Sequence, residues 1–316
     1  PIVSVYDRRV RYNVLDLEEH LQPGENAVGV ILGHGLYNHA VKDVWNFENA
    51  AWRDQPKLRL EIRDAEGNLL LASDSAWLSS LKGPIVHTQL RNGEHYDARR
   101  EFKDWPTCAF VPDERWGKAV VVASPGGVFE EESAIPCRVV RTFEVKGEPT
   151  CFGVYDIGTN LSGRCRITVA GTQPGVQIQL DYAERITDDG EISKQAQDSF
   201  VKTGSFQHEE YTMKGDGTPE TWESRFTYHG FRYLRVWVCG EASIQKLEVR
   251  EVRSDFDSIG SFECSSADLN RLQAVTRVSY LANFVGIPTD CPHREKNGWT
   301  GDAQLAAETG LYNFDS

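Results

Sequence analysis

The chain has 316 residues, too many for one ordinary domain, so two or three are expected. Its formal net charge of −13 comes without any basic run, which argues against phosphate neutralisation and hence against nucleic acid as a partner. Apolar residues make up 40% and charged residues 26%, the balance of a soluble globular protein, and the longest apolar runs are strand-length, too short to span a membrane.

The opening stretch, Pro1-Ile-Val-Ser-Val-Tyr-Asp-Arg-Arg, lacks the pattern of a signal peptide. Residues 1 to about 140 read as short strands separated by turns. Asn26–Leu32 is a strand run preceded by the turn Gln22-Pro-Gly-Glu25. Leu58–Arg63 alternates apolar and polar residues, the period of a half-buried strand, and Asp64–Asn68 turns the chain into Leu69-Leu-Leu. Asn92–Tyr96 reads as a turn at a sheet edge. Ala119–Ala123 is a further strand, ended by Pro125-Gly-Gly127. This first domain is expected to be an all-β sandwich.

Residues 141 to 255 keep that character. Cys137–Val145 alternates, Phe152–Gly158 and Arg164–Ala170 look like paired strands, and Val176–Leu180, Phe231–Val238 and Ile244–Val249 continue the pattern. Pro174-Gly175 and Gly215-Asp-Gly217 mark turns, and Ile186–Gly204, polar and poor in strand formers, reads as a long loop. The expectation is a second antiparallel sandwich of the jelly-roll kind. His229 reads as a satisfied structural histidine.

The period changes near residue 256. Ser265 or Ser266 can cap a helix with Asp268 in its first turn, and Leu269, Leu272, Val275, Val278 and Leu281 recur along one face. Thr300 can cap a second helix through Asp302, Leu305, Ala306 and Thr309. Two helices cannot bury their apolar faces alone, so a larger helical domain continuing past Ser316 is the expectation.

Between the helices lies Pro288–Gln304, with Asp290, Glu295 and Asp302, two basic residues (Arg294 and Lys296), Trp299 and no aliphatic side chain apart from one alanine. Clustered carboxylates beside an aromatic ring, on a loop held by helices, point to carbohydrate binding and to acid chemistry on a glycosidic bond. A carboxylic acid donates a proton only if its pKa is raised towards the working pH. Arg294 and Lys296 would lower that of Glu295 if both pointed inward, whereas Asp290 and Asp302 would raise it. The bland readings are also open here: Asp302 as a partner of the helix dipole, Arg294 and Glu295 as a solvated surface pair, Trp299 as packing between helices.

Pro288-Thr-Asp-Cys-Pro-His-Arg-Glu-Lys-Asn-Gly-Trp-Thr-Gly-Asp-Ala-Gln304 resembles the signature of the bacterial α-L-rhamnosidases of glycoside hydrolase family 78, near the start of their (α/α)6 barrel. Leu21–Tyr37, Asn92–Arg99, Pro125–Gly127, Tyr155–Gly163, Asp181–Glu184 and Phe226–Tyr233 resemble that family in order, so the likeness covers essentially the whole chain. It implies two antiparallel β-sandwiches, residues 1–140 and 141–255, followed at 256–316 by the first barrel helices, with the chain truncated at both ends. It implies an inverting hydrolase acting on terminal α-L-rhamnose of rhamnose-containing glycosides, with no metal or organic cofactor. Glu295 falls on the family's general acid. Asp290 and Asp302 fall on sugar-binding carboxylates, Trp299 on an apolar wall and Arg294 on a hydroxyl donor, while the general base lies on a later helix. Many relatives carry a further acidic residue between arginine and glutamate; here Arg294 is followed directly by Glu295. The alternatives are another barrel glycosidase with a different sugar, and a non-catalytic carbohydrate-binding β-sandwich protein.

Seven scattered cysteines, an odd number, suggest reduced thiols and a cytoplasmic setting rather than a disulfide framework. Cys291 and His293 lack a second metal-ligand pair, so no metal is expected there. The sequence is compatible with a homodimer without requiring one.

Overall fold

The computed structural model describes residues 4–195 and 197–316. The first three residues of the opening stretch and Ala196 of the expected loop lie outside them. The protein is mainly β, organised around one curled nine-stranded sheet. Its strands are β1 (Ile85–Gln89), β2 (Gly93–Asp97), β3 (Cys137–Glu144), β4 (Val154–Ala170), β5 (Gln177–Ala183), β6 (His208–Thr212), β7 (Glu220–Glu223), β8 (His229–Cys239) and β9 (Ser243–Ser254). The order is β1-β2-β6-β5-β8-β4-β9-β3, with β7 paired to β4. The β2–β6 pair is parallel, and the other pairs in this sheet are antiparallel.

Period-two alternation explains the core. Cys165, Ile167 and Val169 of β4 and Ile178, Leu180 and Tyr182 of β5 point inward and are fully buried, with Phe231, Leu234 and Val249 against them. Each such aliphatic side chain contributes roughly 1.5–3 kcal/mol relative to exposure. The alternate residues face out and pair across strands: Arg166 with Glu248 at 2.7 Å, and Arg164 and Arg250 with Glu223.

Several expectations are corrected. Phe152–Gly158 and Arg164–Ala170 are not partners of each other. From Val154 onward they form one strand, β4, interrupted between Asp156 and Leu161 by an irregularity where Gly158 takes a φ of +81°. The expected loop 186–204 contains a short hairpin, Arg185–Ile186 with Ile192–Ser193, and a 3-10 turn at Asp198–Phe200. Asn92–Tyr96 is mostly strand β2, paired on both sides, rather than an edge turn. Gly93 is required there at φ +131°, because a Cβ would lie 1.8 Å from the His208 carbonyl oxygen. Asn26–Leu32 and Ala119–Ala123 form no strand, and Val120–Val122 are exposed. Their apolar runs have the composition for a ladder, but the contacts that reach Ala119–Ala123, such as the Ala119 N–H to the Trp77 carbonyl at 2.8 Å, do not continue into one. The hairpin Glu61–Arg63 with Leu69–Ala72 is as expected.

Helix α1 (Ala267–Ala282) starts at Ser266, whose hydroxyl accepts from the Leu269 N–H. Helix α2 (Thr300–Asn313) has Trp299, not Thr300, at its N-cap, with no side-chain cap bond: Thr300 already has helical backbone as the first residue. No helix among the described residues is long and apolar enough to cross a membrane. The seven cysteines are unpaired thiols.

Candidate active site

The polar segment between the helices is folded back on itself. Bridges Phe284–Pro288 and Thr289–Gly298 close it, and the Thr289 N–H and hydroxyl both donate to the Asn283 carbonyl at the end of α1. The loop lies against the sheet at Gly230 of β8, where a Cβ would come within 2.9 Å of Pro292 Cγ and the His293 nitrogen. A side chain at 230 would lift the loop off the strand.

Two cations fix this loop from beneath. Arg91, in the β1–β2 turn, is fully buried: its Nε donates to the Glu295 carbonyl at 2.8 Å and its Nη2 to Asn297 Oδ1 at 2.6 Å. Its charge is met by buried Asp43 at 3.2 Å, and its guanidinium stacks over the ring of Trp45. Lys296 is the second. A φ of +54° turns its side chain away from its neighbours and into the sheet. There its ammonium donates to the Leu90 carbonyl at 2.6 Å and to the Tyr228 carbonyl, over the Tyr228 ring. Burial pushes its pKa well below that of a free lysine. The loop is thus held chiefly by the sheet, not by the flanking helices as expected from sequence.

Glu295 is partly buried in this loop. Its side chain is 12% exposed. Trp299 Nε1 donates to Oε2 at 2.9 Å. Arg294 Nε stands 3.6 Å from Oε1, an ion pair too long for a hydrogen bond, with its guanidinium 5.1 Å from the centre of the Phe200 ring. Of the two basic neighbours, one has left the site altogether. Trp299 is 44% exposed among the described residues.

Asp290 is half-buried, and its Oδ1 has no hydrogen-bond partner among the described residues. Burial raises its pKa first, and the nearby charge of Glu295 raises it further, while the Cys291 thiol and backbone lower it. The Cys291 thiol is itself pushed up to about 11 by burial and by Asp290, so it is no nucleophile at neutral pH. Asp290 lines one wall of a cleft of about 500 Å³ between the loop, α1 and the start of β4, with Asn160, Glu184 and His293 on its walls. Asp302 stands exposed in the first turn of α2. The structure therefore joins Glu295, Arg294 and Trp299 by direct contacts and sets Asp290 close enough to feel the Glu295 charge. It gives Asp302 no such link.

Sequence reasoning missed Arg91, Asp43 and Phe200. Arg91 contacts a residue 204 positions away, and no local pattern announces a partner that distant. His229 is buried, as expected of a structural histidine, with Nε2 at 2.9 Å from Glu209, but its Nδ1 has no hydrogen-bond partner among the described residues, so it is only half satisfied.

Comparison with known proteins follows the chain from end to end. Residues 1–141 match the alpha-L-rhamnosidase N-terminal domain, 149–253 the bacterial alpha-L-rhamnosidase concanavalin-like domain, and 257–316 the bacterial alpha-L-rhamnosidase 6 hairpin glycosidase domain. An alpha-L-rhamnosidase from Formosa agariphila is 32% identical over 335 aligned positions, taking in 100% of this chain and 34% of that protein. Among solved structures, alpha-L-rhamnosidase from Dictyoglumus thermophilum is 34% identical with a TM-score of 0.86, over 100% of this chain and 34% of that one. Streptomyces avermitilis alpha-L-rhamnosidase complexed with L-rhamnose is 28% identical with a TM-score of 0.84, over 100% and 30%. The chain spans about a third of the length of the curated relatives it matches.

Proposed function

The chain belongs to the bacterial alpha-L-rhamnosidases, and on that premise we propose that it forms part of an enzyme that hydrolyses terminal α-L-rhamnosides with inversion. In this reading residues 1–140 and 141–255 are two β-sandwich domains, and α1 and α2 open the (α/α)6 barrel. Glu295 protonates the leaving oxygen. Asp290 and Asp302 accept hydroxyl hydrogen bonds from the sugar, Trp299 lies against its apolar edge, and Arg294 donates to a hydroxyl. A carboxylate elsewhere in the enzyme acts as base, roughly 6.5–9.5 Å from Glu295, the separation that admits a water.

The observation that carries this reading is the setting of Glu295. A proton donor must be shielded from bulk water yet remain reachable by substrate. Glu295 has one cation withdrawn into the sheet, the other at 3.6 Å, and an indole N–H anchoring the oxygen opposite.

The test uses the full-length enzyme. Glu295→Gln should lower kcat on rhamnosides with poor leaving groups by about 10²–10⁴-fold, the usual contribution of a general acid. Rhamnosides with acidic leaving groups should suffer much less. Equal losses on both series would remove the acid role, and no activity of the parent on a panel of α-L-rhamnosides would remove the substrate assignment.

A further inference from the structure

A second cluster of functional side chains lies on the sheet, apart from the loop. His87 of β1, His95 of β2 and Glu210 of β6 stand opposite one another in register, and His208, two residues before Glu210, shares their face. Four chemistry-bearing side chains thus line up across three adjacent strands. They sit where residues 85–97 join the main sheet, at its parallel β2–β6 pair.

We propose that His95, His208 and Glu210 bind a divalent transition-metal ion, zinc by preference, with Asp181 orienting His208 from behind. Their ligand atoms lie within 4.8 Å of one another. Glu210 is 3.8 Å from His95 Nδ1 and 3.1 Å from His208 Nε2. A tetrahedral zinc ion with bonds near 2.0–2.2 Å needs ligand separations of about 3.3 Å. The two distances run to different carboxylate oxygens, Oε2 towards His95 and Oε1 towards His208, so a bidentate Glu210 or a small rotation of its carboxylate brings the three side chains onto one ion. Two imidazoles and one carboxylate suit zinc better than calcium or magnesium, which prefer oxygen.

The surroundings support the site. Asp181 Oδ1 is 3.0 Å from His208 Nδ1. That contact holds the proton on Nδ1 and turns Nε2 towards the ion, the usual outer partner of a metal-bound histidine. Asp181 is itself fixed by Lys194 at 2.7 Å and Arg235 at 2.6 Å. Part of His95 and Glu210 remains accessible, so an ion can enter. The fourth position is open to water or to His87, whose ring centroid is 5.0 Å from that of His95.

A bound ion would staple β2 to β6. The β1–β2 hairpin carries Arg91 at its turn, so the ion would steady the residue that grips the Glu295 backbone.

The test is cobalt(II) and zinc(II) titration of the chelator-stripped full-length enzyme. One equivalent should bind, and cobalt should show the visible bands of a four-coordinate nitrogen–oxygen site without a thiolate charge-transfer band. His95→Gln and Glu210→Gln should each weaken binding at least tenfold in variants whose metal-free circular dichroism matches the parent's. Asp181→Asn should weaken it about 10–100-fold. If the variants fold poorly, X-ray absorption of the zinc-loaded parent decides: imidazole and oxygen scatterers support the site, and sulfur scatterers overturn it. Absence of binding at micromolar metal, or affinity unchanged in folded His95→Gln, overturns it as well.

Discussion

Asp290 shows how a site and a stability requirement pull one residue in opposite directions. Its Oδ1 is buried without a partner, and its carboxylate faces the charge of Glu295. A carboxyl whose pKa is raised in the folded state favours folding when protonated. That contribution is present at low pH and is lost as pH rises through the raised value. Asp290→Asn removes the charge, so the variant should be more stable than the parent at pH 7, by about 0.5 kcal/mol given partial exposure. The gain should vanish at a pH low enough to protonate the parent. On the proposed function, rhamnose affinity of the full enzyme should fall in the same variant. Paired urea melts at pH 7 and near pH 3 check the sign, and a parent more stable than the variant at pH 7 would overturn it.

The elements of the sheet were largely legible, because a buried strand writes its period into the sequence. Val176–Leu180 and Ile244–Val249 read as strands, and the structure forms longer ones there, Gln177–Ala183 and Ser243–Ser254. What was not legible depends on partners. Ala119–Ala123 has the composition of a strand without a ladder, and Arg164–Ala170 continues an earlier segment instead of pairing with it. At the site, Glu295, Arg294 and Trp299 were readable because the motif is short and local. Their support was not, since it comes from the β1–β2 turn. Arg91 and Asp43 form a buried ion pair, and removing Arg91 leaves a buried carboxylate without its guanidinium, held by the Trp45 N–H at 2.9 Å and by His39 Nε2 at 2.9 Å. Arg91→Ala should therefore cost about 3–5 kcal/mol of stability. Arg91→Lys keeps the charge but cannot reach the Glu295 carbonyl and Asn297 together, because it lacks the guanidinium fork. In the full-length enzyme it should fold and lose about 100-fold in kcat/KM, the scale of a 1 Å misplacement of a catalytic group. A lysine variant with parental kcat/KM would show that this grip does not position Glu295.

At the scale of the whole molecule, the rigid part and the helical part are unequal. The sheet has a continuous buried core, whereas α1 has no buried residue and α2 buries only Gly310 and Asn313. Leu269, Leu272, Val275 and Val278 along α1 are exposed, as are Leu305, Leu311 and Tyr312 on α2. The helices meet through a few anchors: Tyr280 stacked on Phe314 at 5.6 Å and Gln273 bonded to Asn313 at 2.6 Å. Local opening is cheapest where apolar burial is least. Amides of α1 in the isolated chain should therefore exchange with solvent at least about 100-fold faster than those of Ile167, Ile178 and Phe231, a gap of about 2.7 kcal/mol. The site loop makes a sharper test. A connecting loop ordinarily opens more readily than the helices it joins. This one is tied to the sheet by the buried side chains of Arg91 and Lys296, so the amides of Thr289 and Lys296, bonded to the Asn283 and Cys291 carbonyls, should exchange more slowly than those of α1. Hydrogen-exchange mass spectrometry resolves the two segments. A loop exchanging as fast as α1 would mean that the helices, not the sheet, hold Glu295 in place.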